Sequence, residues 1–98
     1  MLKKNHLKNG LSCRVTFKYA NEENCKTAAL VGDFNDWNIE TCPMKRLKDG
    51  SFSVTVALES GHNHRFRYVL DGDIWVNEHD ADSYIANEYG SDDSIVIV

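Results

Sequence analysis

Trp37 lies in VGDFNDWN, residues 31–38, where a short apolar segment gives way to turn residues. Trp75 follows the tight Asp71-Gly72 turn. The electron-rich face of an indole in such a position can pack on the C–H groups of a ligand, and binding residues are often found on loops. Tryptophan is also usually well buried, so either ring could instead cover one end of the hydrophobic core.

The segment NEHDAD, residues 77–82, concentrates groups that could coordinate a metal ion: Glu78, His79, Asp80 and Asp82. Its spacing lacks the glycine and distal glutamate of an EF-hand and the paired His or Cys residues of a zinc site. We interpret it as a turn held by carboxylate-to-backbone hydrogen bonds, and we expect no metal ion. Because no Ser/His/Asp grouping or phosphate-binding loop is recognisable, we expect neither an enzyme nor a cofactor.

Segments of alternating sequence predict the strands that would position these residues. LSCRVTFKY, residues 11–19, places Leu11 and every second residue after it on one face. SFSVTVAL, residues 51–58, and HNHRFRYVL, residues 62–70, alternate in the same way. In the last of these, Phe66 and Tyr68 are expected to face inward and Arg67 outward.

Shorter segments complete the predicted set of strands, and polar or glycine-containing turns separate them. They are residues 27–32, 44–47, 74–76 and 94–98, whereas residues 77–88 are predicted to form a loop. No stretch has helical periodicity. About seven to eight short strands therefore predict an all-β fold, an antiparallel immunoglobulin-like β-sandwich.

The 98 residues are enough for one domain, which we place at residues 11–98 after an N-terminal tail at residues 1–10. The formal net charge of −4 leads us to expect neither a nucleic-acid nor a membrane partner. The three widely spaced cysteines fit neither a disulfide framework nor a zinc motif, so we expect them to be reduced. With no signal peptide or long apolar run recognisable, we expect a cytoplasmic location.

Four parts of the sequence resemble one known family: VGDFNDWN, RFRYVLDGDIW, NEHDAD and YGSDDSIVIV. Their order and spacing are similar to carbohydrate-binding module family 48, an early-set β-sandwich that binds glycogen. This module occurs at the N-terminus of isoamylases and glycogen branching enzymes and in the β-subunit of AMP-activated protein kinase. The resemblance implies non-catalytic binding of α-1,4-glucans such as glycogen, starch and maltooligosaccharides.

The resemblance also implies roles for individual residues. By position, two tryptophans would stack on sugar rings, a basic residue would hydrogen-bond sugar hydroxyls, and a C-terminal segment would add further contacts. The residues so implied to bind carbohydrate are Trp37, Trp75, Arg67, Tyr89, Ser91 and Asp93. The last four differ in type from the kinase-subunit pattern, and the hairpin before Trp75 is one residue longer.

Each of the substituted residues has an ordinary alternative role. The planar fork of Arg67 can donate to adjacent hydroxyls, or it can be a surface arginine paired across the strand. An ionised Asp93 only accepts hydrogen bonds, so it requires a sugar O–H or a positive neighbour such as Arg67, unless it is a plain surface carboxylate. Tyr89 could be a third stacking ring or a core residue.

Two functions are therefore compatible with the sequence. The first is an α-glucan-binding module, which could also associate with a glycogen- or starch-metabolising enzyme. The alternative is a protein-interaction or scaffold sandwich that associates with a glucan-metabolising enzyme and has lost sugar binding. Fold-level likeness alone cannot choose between them, because function depends on the site.

Overall fold

The chain folds into nine short β-strands, all of which are paired antiparallel in the described part of the chain. The computed structural model describes residues 1–8 and 10–98. The strands are β1 (Leu2–His6), β2 (Ser12–Tyr19), β3 (Ala28–Gly32), β4 (Lys45–Arg46), β5 (Phe52–Glu59), β6 (Asn63–Leu70), β7 (Ile74–Val76), β8 (Ser83–Ala86) and β9 (Asp92–Ile97). None of the described residues forms a helix that is long and apolar enough to cross a lipid bilayer.

Two sheets stack face to face with the hydrophobic core between them. The first sheet has the strand order β1-β2-β5-β4, and the second has the order β3-β6-β9-β8, with β7 paired to β6. Phe17 on β2 and Phe66 on β6 meet in this layer, edge to face, with their ring centroids 4.9 Å apart. The predicted all-β antiparallel sandwich is therefore confirmed, and the alternating apolar residues of β2 and β6 supply its core.

β6 lies at the centre of the second sheet, and along one of its edges it pairs first with one strand and then with another. β3 pairs with β6 along the other edge, from Gly32 opposite Phe66 to Ala28 opposite Leu70. On the edge where the partner changes, β9 pairs with residues 63–66 and β7 pairs with residues 68–70. The change falls at Arg67, which pairs with neither β9 nor β7.

The N-terminal segment differs from the predicted solvated tail. Leu2–His6 form β1, which pairs with β2 along its whole length, and Lys4 Nζ lies 2.6 Å from a carboxylate oxygen of Asp82. This pairing satisfies backbone groups of β2 that would otherwise form an open sheet edge. Most side chains of β1 are exposed, so they carry no burial pattern in the sequence. Asn9, which also belongs to the predicted tail, lies outside the described residues.

Two smaller differences from the sequence prediction also concern exposed residues. Residues 77–88, predicted as a loop, contain β8, which pairs with β9 at the edge of the second sheet. All four residues of β8 are exposed, and its strand conformation comes from the ladder with β9. The predicted strand at residues 11–19 begins at Ser12, and Leu11 is exposed instead of contributing to the core.

Gly32 ends β3 at a point where the backbone of β6 approaches closely. A Cβ atom on Gly32 would overlap the carbonyl oxygen of Arg65 and the ring of Phe34. In the space that Gly32 leaves, the backbone N–H of Asp33 donates to that same carbonyl, at 3.0 Å. Gly32 therefore fixes the position from which the following turn departs.

We predict that Gly32→Ala destabilises the fold by about 2–3 kcal/mol, because the added methyl group must displace backbone. Urea unfolding followed by circular dichroism measures this change. Gly61→Ala is the matched control, since Gly61 has a φ of 81° but open space around its Cβ position. It should cost only about 1 kcal/mol, from left-handed backbone strain. Equal losses in the two variants would contradict the close-approach explanation.

Candidate functional site

The six residues that the sequence predicts as a binding site surround one depression on the outer face of the second sheet. The depression has a volume of about 960 Å³ and lies where the turn after β3, the β6–β7 hairpin and the β8–β9 hairpin meet. The structure therefore brings all of the predicted site residues together. Its wall also contains residues that the sequence did not single out, chiefly Asp33, Arg65 and Asn87.

Trp37 is held in place by the turn that follows β3. Its backbone N–H donates to the carbonyl of Gly32 at 2.9 Å, and both Asp36 and Trp37 adopt left-handed backbone, with φ of 55° and 57°. The Asn35 side chain closes the turn, because its oxygen accepts from Gly32 N–H at 3.0 Å and its amide donates to Leu30 at 3.1 Å. Such conformations persist only where surrounding contacts enforce them, and here they hold the indole half-exposed.

Trp75 and Arg67 form a pair on the other side of the depression. The guanidinium carbon of Arg67 lies 5.9 Å from the centroid of the Trp75 ring, and Nη2 donates to the Trp75 carbonyl at 3.3 Å. A cation over an indole attracts the electron-rich ring face and so favours one ring orientation. Arg67 therefore supports Trp75, which is 43% exposed.

The hairpin that carries Trp75 is anchored to the start of β3 by Asp71. One carboxylate oxygen of Asp71 accepts from the backbone N–H groups of Lys26 at 2.8 Å and Thr27 at 3.0 Å. The hydrogen bonds from Thr27 and Lys26 hold the pKa of Asp71 below its ordinary value, and they outweigh the opposing effect of burial. The ionised carboxylate of Asp71 thus holds the hairpin in place.

Asn87 organises the β8–β9 hairpin. Its side-chain oxygen accepts from the backbone N–H groups of Tyr89 at 2.9 Å and Ser91 at 3.3 Å. Its amide donates to Asp93 Oδ1 at 3.1 Å. Tyr89, at the tip of this hairpin, is 84% exposed and so is not a core residue. A single amide side chain therefore gives the β8–β9 hairpin its shape.

Asp93 is buried beneath the depression, with only 8% of its side chain exposed. Its second oxygen lies 3.8 Å from Nη1 of Arg65. The positive neighbour of Asp93 is therefore Arg65, whereas the sequence had suggested Arg67. Arg65 and Arg67 lie two residues apart on β6 and share its outer face. Asp93 therefore holds the hairpin against β6, and neither of its oxygens is without a partner.

The NEHDAD segment lies behind the depression and is tied to the core. The buried carboxylate of Glu78 accepts from the Tyr68 hydroxyl at 2.9 Å and from Asp80 N–H at 3.1 Å. Asp82 accepts from Ile97 N–H at 2.7 Å. The bonds from Asp80 N–H and Ile97 N–H are carboxylate-to-backbone bonds of the kind that the sequence predicts for a turn. In the part of the chain that the structure describes, no group of three or more His, Cys, Asp and Glu residues could hold a metal ion.

The sequence signals for the additional residues differ in strength. Arg65 could have been found, because it alternates with Arg67 on the strand. Asp33 lies inside the GDFNDW motif, but its hydrogen bond from Arg65 N–H, 3.1 Å long, depends on tertiary structure. Asn87 gave no signal, since the residues around it were interpreted as loop.

Comparison with protein families gives a match for the sequence of this chain. Residues 13–98 match the family described as the glycogen recognition site of AMP-activated protein kinase. The matched range contains β2 except its first residue, Ser12, all of β3 to β9, and all six predicted site residues. No curated protein sequence is significantly similar to the chain.

We predict that Asn87→Ala loosens the β8–β9 hairpin without unfolding the sandwich. Each lost hydrogen bond is worth about 1 kcal/mol, so the amide protons of Tyr89 and Ser91 should exchange with water about fivefold faster or more. Solvent-exchange NMR measures the exchange rates of both amide protons. Asn38→Ala is the matched control, because Asn38 caps Glu40 N–H at 2.8 Å in another exposed turn. Unchanged exchange at Tyr89 and Ser91 would show that Asn87 does not shape the hairpin.

We also predict a pH dependence that originates at Asp71. Because the pKa of this carboxyl is lower in the folded than in the unfolded chain, its ionised form stabilises the fold. That contribution is complete above the ordinary carboxyl pKa of about 4 and is lost as the pH falls through the folded-state value. Urea unfolding between about pH 6 and pH 3 should therefore show a smaller loss of stability in Asp71→Asn than in the unmutated chain. Identical losses would contradict the role of the carboxylate.

Proposed function

The chain belongs to the family of the glycogen recognition site of AMP-activated protein kinase, and we propose on this premise that it binds α-1,4-glucans without catalysis. The ligands would be glycogen, starch or maltooligosaccharides. The observation that supports this proposal most directly is the shared depression, where Trp37, Trp75 and Tyr89 converge from the turn after β3, from β7 and from the β8–β9 hairpin. Aromatic rings on separate elements can contact successive rings of one polymer chain.

Binding would use the two faces of a glucosyl residue differently. The C–H groups of the sugar ring pack on an indole face, while the hydroxyls at its edge exchange water for protein hydrogen bonds. Trp37 and Trp75 are already held by their turns before any ligand arrives. Preorganisation of this kind lowers the entropy lost on binding, which suits a shallow site with few contacts.

Some of the polar residues would contact the sugar directly, and others would only hold the contacting residues in place. Ser91 and Tyr89 are exposed at the hairpin and can reach a sugar hydroxyl. Arg67 already donates to the Trp75 carbonyl, so its main part would be to orient that indole. Asp93 would act indirectly, through Asn87 and Arg65.

Any reaction on the bound glucan would belong to another protein. Glycosidases use a pair of carboxyl groups across the scissile bond. The carboxylates that line this depression are Asp33, Glu88 and Asp93. Two of them are already engaged, since Asp33 accepts from Arg65 N–H and Asp93 is held by Arg65 and Asn87. We propose a glycogen- or starch-metabolising enzyme as the partner. The three cysteines Cys13, Cys25 and Cys42 are free, which is consistent with the cytoplasmic location that we propose, because reducing compartments keep thiols reduced.

One observation favours a second candidate function, a scaffold sandwich that has lost sugar binding. The residue that corresponds to a sugar-binding asparagine in the kinase-subunit pattern is Asp93 here, and it is buried in an ion pair. If the remaining contacts were too few, the same face would serve only protein association. The experiment below distinguishes the two functions.

We predict that maltoheptaose binds with a Kd between about tens of micromolar and the millimolar range, as expected for a few partly exposed contacts. Both indole N–H signals should shift in an NMR titration, and cellohexaose should leave them unmoved. Trp37→Ala and Trp75→Ala should each weaken binding by about tenfold or more.

Ile74→Ala is the matched control for Trp75. Ile74 is exposed on the same short strand but does not line the depression. Its variant should bind maltoheptaose as the unmutated chain does. If neither indole responds to maltoheptaose at about 10 mM, well above the expected Kd, glucan binding is wrong and the scaffold function is favoured.

A further inference from the structure

A second, smaller depression lies next to the tryptophan site on the outer face of the same sheet. Its volume is about 390 Å³. We call it the outer-face groove and define it by Asn63, Ser83, Ile85 and Ile97 together with Asp33 and Arg65. None of the first four residues lines the tryptophan site, and no role has been assigned to them above.

The groove is continuous with the tryptophan site. Asp33 and Arg65 line both depressions, and each has 42% of its side chain exposed. Arg65 reaches toward Asp93 on one side and borders the groove on the other. The two depressions therefore share a wall of two half-exposed, hydrogen-bonding side chains.

The strand register fixes the direction of the groove. On β9, Ile95 lies opposite Arg65 and Ile97 lies opposite Asn63, and on β8, Ser83 lies opposite Ile95. Paired residues point to the same face, as do residues two apart. Ile85 lies opposite Asp93, so from Ile85 to Ile97 the groove runs about 14 Å along the sheet, at about 3.4 Å per residue.

The groove combines the two kinds of surface that a sugar ring requires. Ile85 and Ile97 are 40% and 46% exposed, so they present aliphatic surface to solvent. The polar groups beside them are the amide of Asn63, the hydroxyl of Ser83 and the two shared charged side chains. Such a surface can cover the C–H face of a glucosyl residue and bond its hydroxyls.

We propose that the outer-face groove binds further glucosyl residues of a chain whose preceding residues lie on Trp37 and Trp75. The inference rests on the proposed function and specifies its substrate: a glucan long enough to leave the tryptophans and cross the sheet at Arg65. The shared wall favours this occupant over a separate ligand, because one continuous polymer fills both depressions.

The test compares a short and a long ligand, maltotriose and maltodecaose, by isothermal titration calorimetry and NMR. A longer chain also offers more binding registers on the tryptophans, so tighter binding alone would be ambiguous. We therefore compare the unmutated chain with the double variant Asn63→Ala/Ile97→Thr. Ile39→Thr is the matched control, since Ile39 is an exposed isoleucine outside both depressions.

The unmutated chain and Ile39→Thr should bind maltodecaose on the order of tenfold more tightly than maltotriose. In the double variant this gain should fall to about twofold or threefold, while affinity for maltotriose is unchanged. In the unmutated chain, the backbone amides of Asn63, Ile95 and Ile97 should shift with maltodecaose and not with maltotriose. This second measurement does not depend on the folding of any variant.

Four outcomes would overturn the proposal. If the indoles respond to both sugars while the groove amides are silent, or the length gain survives in the double variant, the groove is not a glucan site and the proposed function stands. If the groove amides shift with protein concentration in the absence of sugar, the face is a self-association surface. If no indole responds to either sugar, the proposed function has failed and the groove proposal fails with it.

Discussion

The site depends on the alternation of side chains along β6. Phe66 and Tyr68 point into the core, where Phe66 packs against Phe17 of the opposite sheet, and this leaves Arg65 and Arg67 on the outer face. A register shift of one residue would bury two guanidinium groups, at a cost that the core could not offset. The packing that makes the sandwich stable is therefore also what presents the arginines to the depression.

Short polar side chains fix the three turns that surround this face. Asn35 closes the turn of Trp37, Asp71 anchors the hairpin of Trp75, and Asn87 shapes the hairpin of Tyr89. Each accepts backbone N–H bonds that a loop would otherwise give to water. These side-chain-to-backbone hydrogen bonds thus hold three aromatic rings in place. Such an arrangement needs few buried apolar contacts, which suits the binding of a hydrated polymer.

Strands whose residues alternate between buried and exposed could be predicted from the sequence. Strands that are defined only by pairing with a neighbouring strand could not. β2 and β6 have clear inward and outward faces, whereas β1 and β8 are exposed along most of their length and are defined by the neighbouring strand. The choice of the six candidate site residues followed from the family resemblance. Their hydrogen bonds did not, because Asp93 reaches Arg65 only through a diagonal across two strands, and Asn87 acts through tertiary contacts.

A crystal structure of the chain with maltoheptaose would show whether the depression binds glucan through its tryptophans. We expect consecutive glucosyl residues with their C–H faces on the indoles of Trp37 and Trp75, and the Arg67 contact with Trp75 should stay intact. The ion pair of Arg65 and Asp93 should remain in place beneath the sugar. A glucan bound elsewhere, or bound with both indoles uncovered, would show that the tryptophans do not form the binding site.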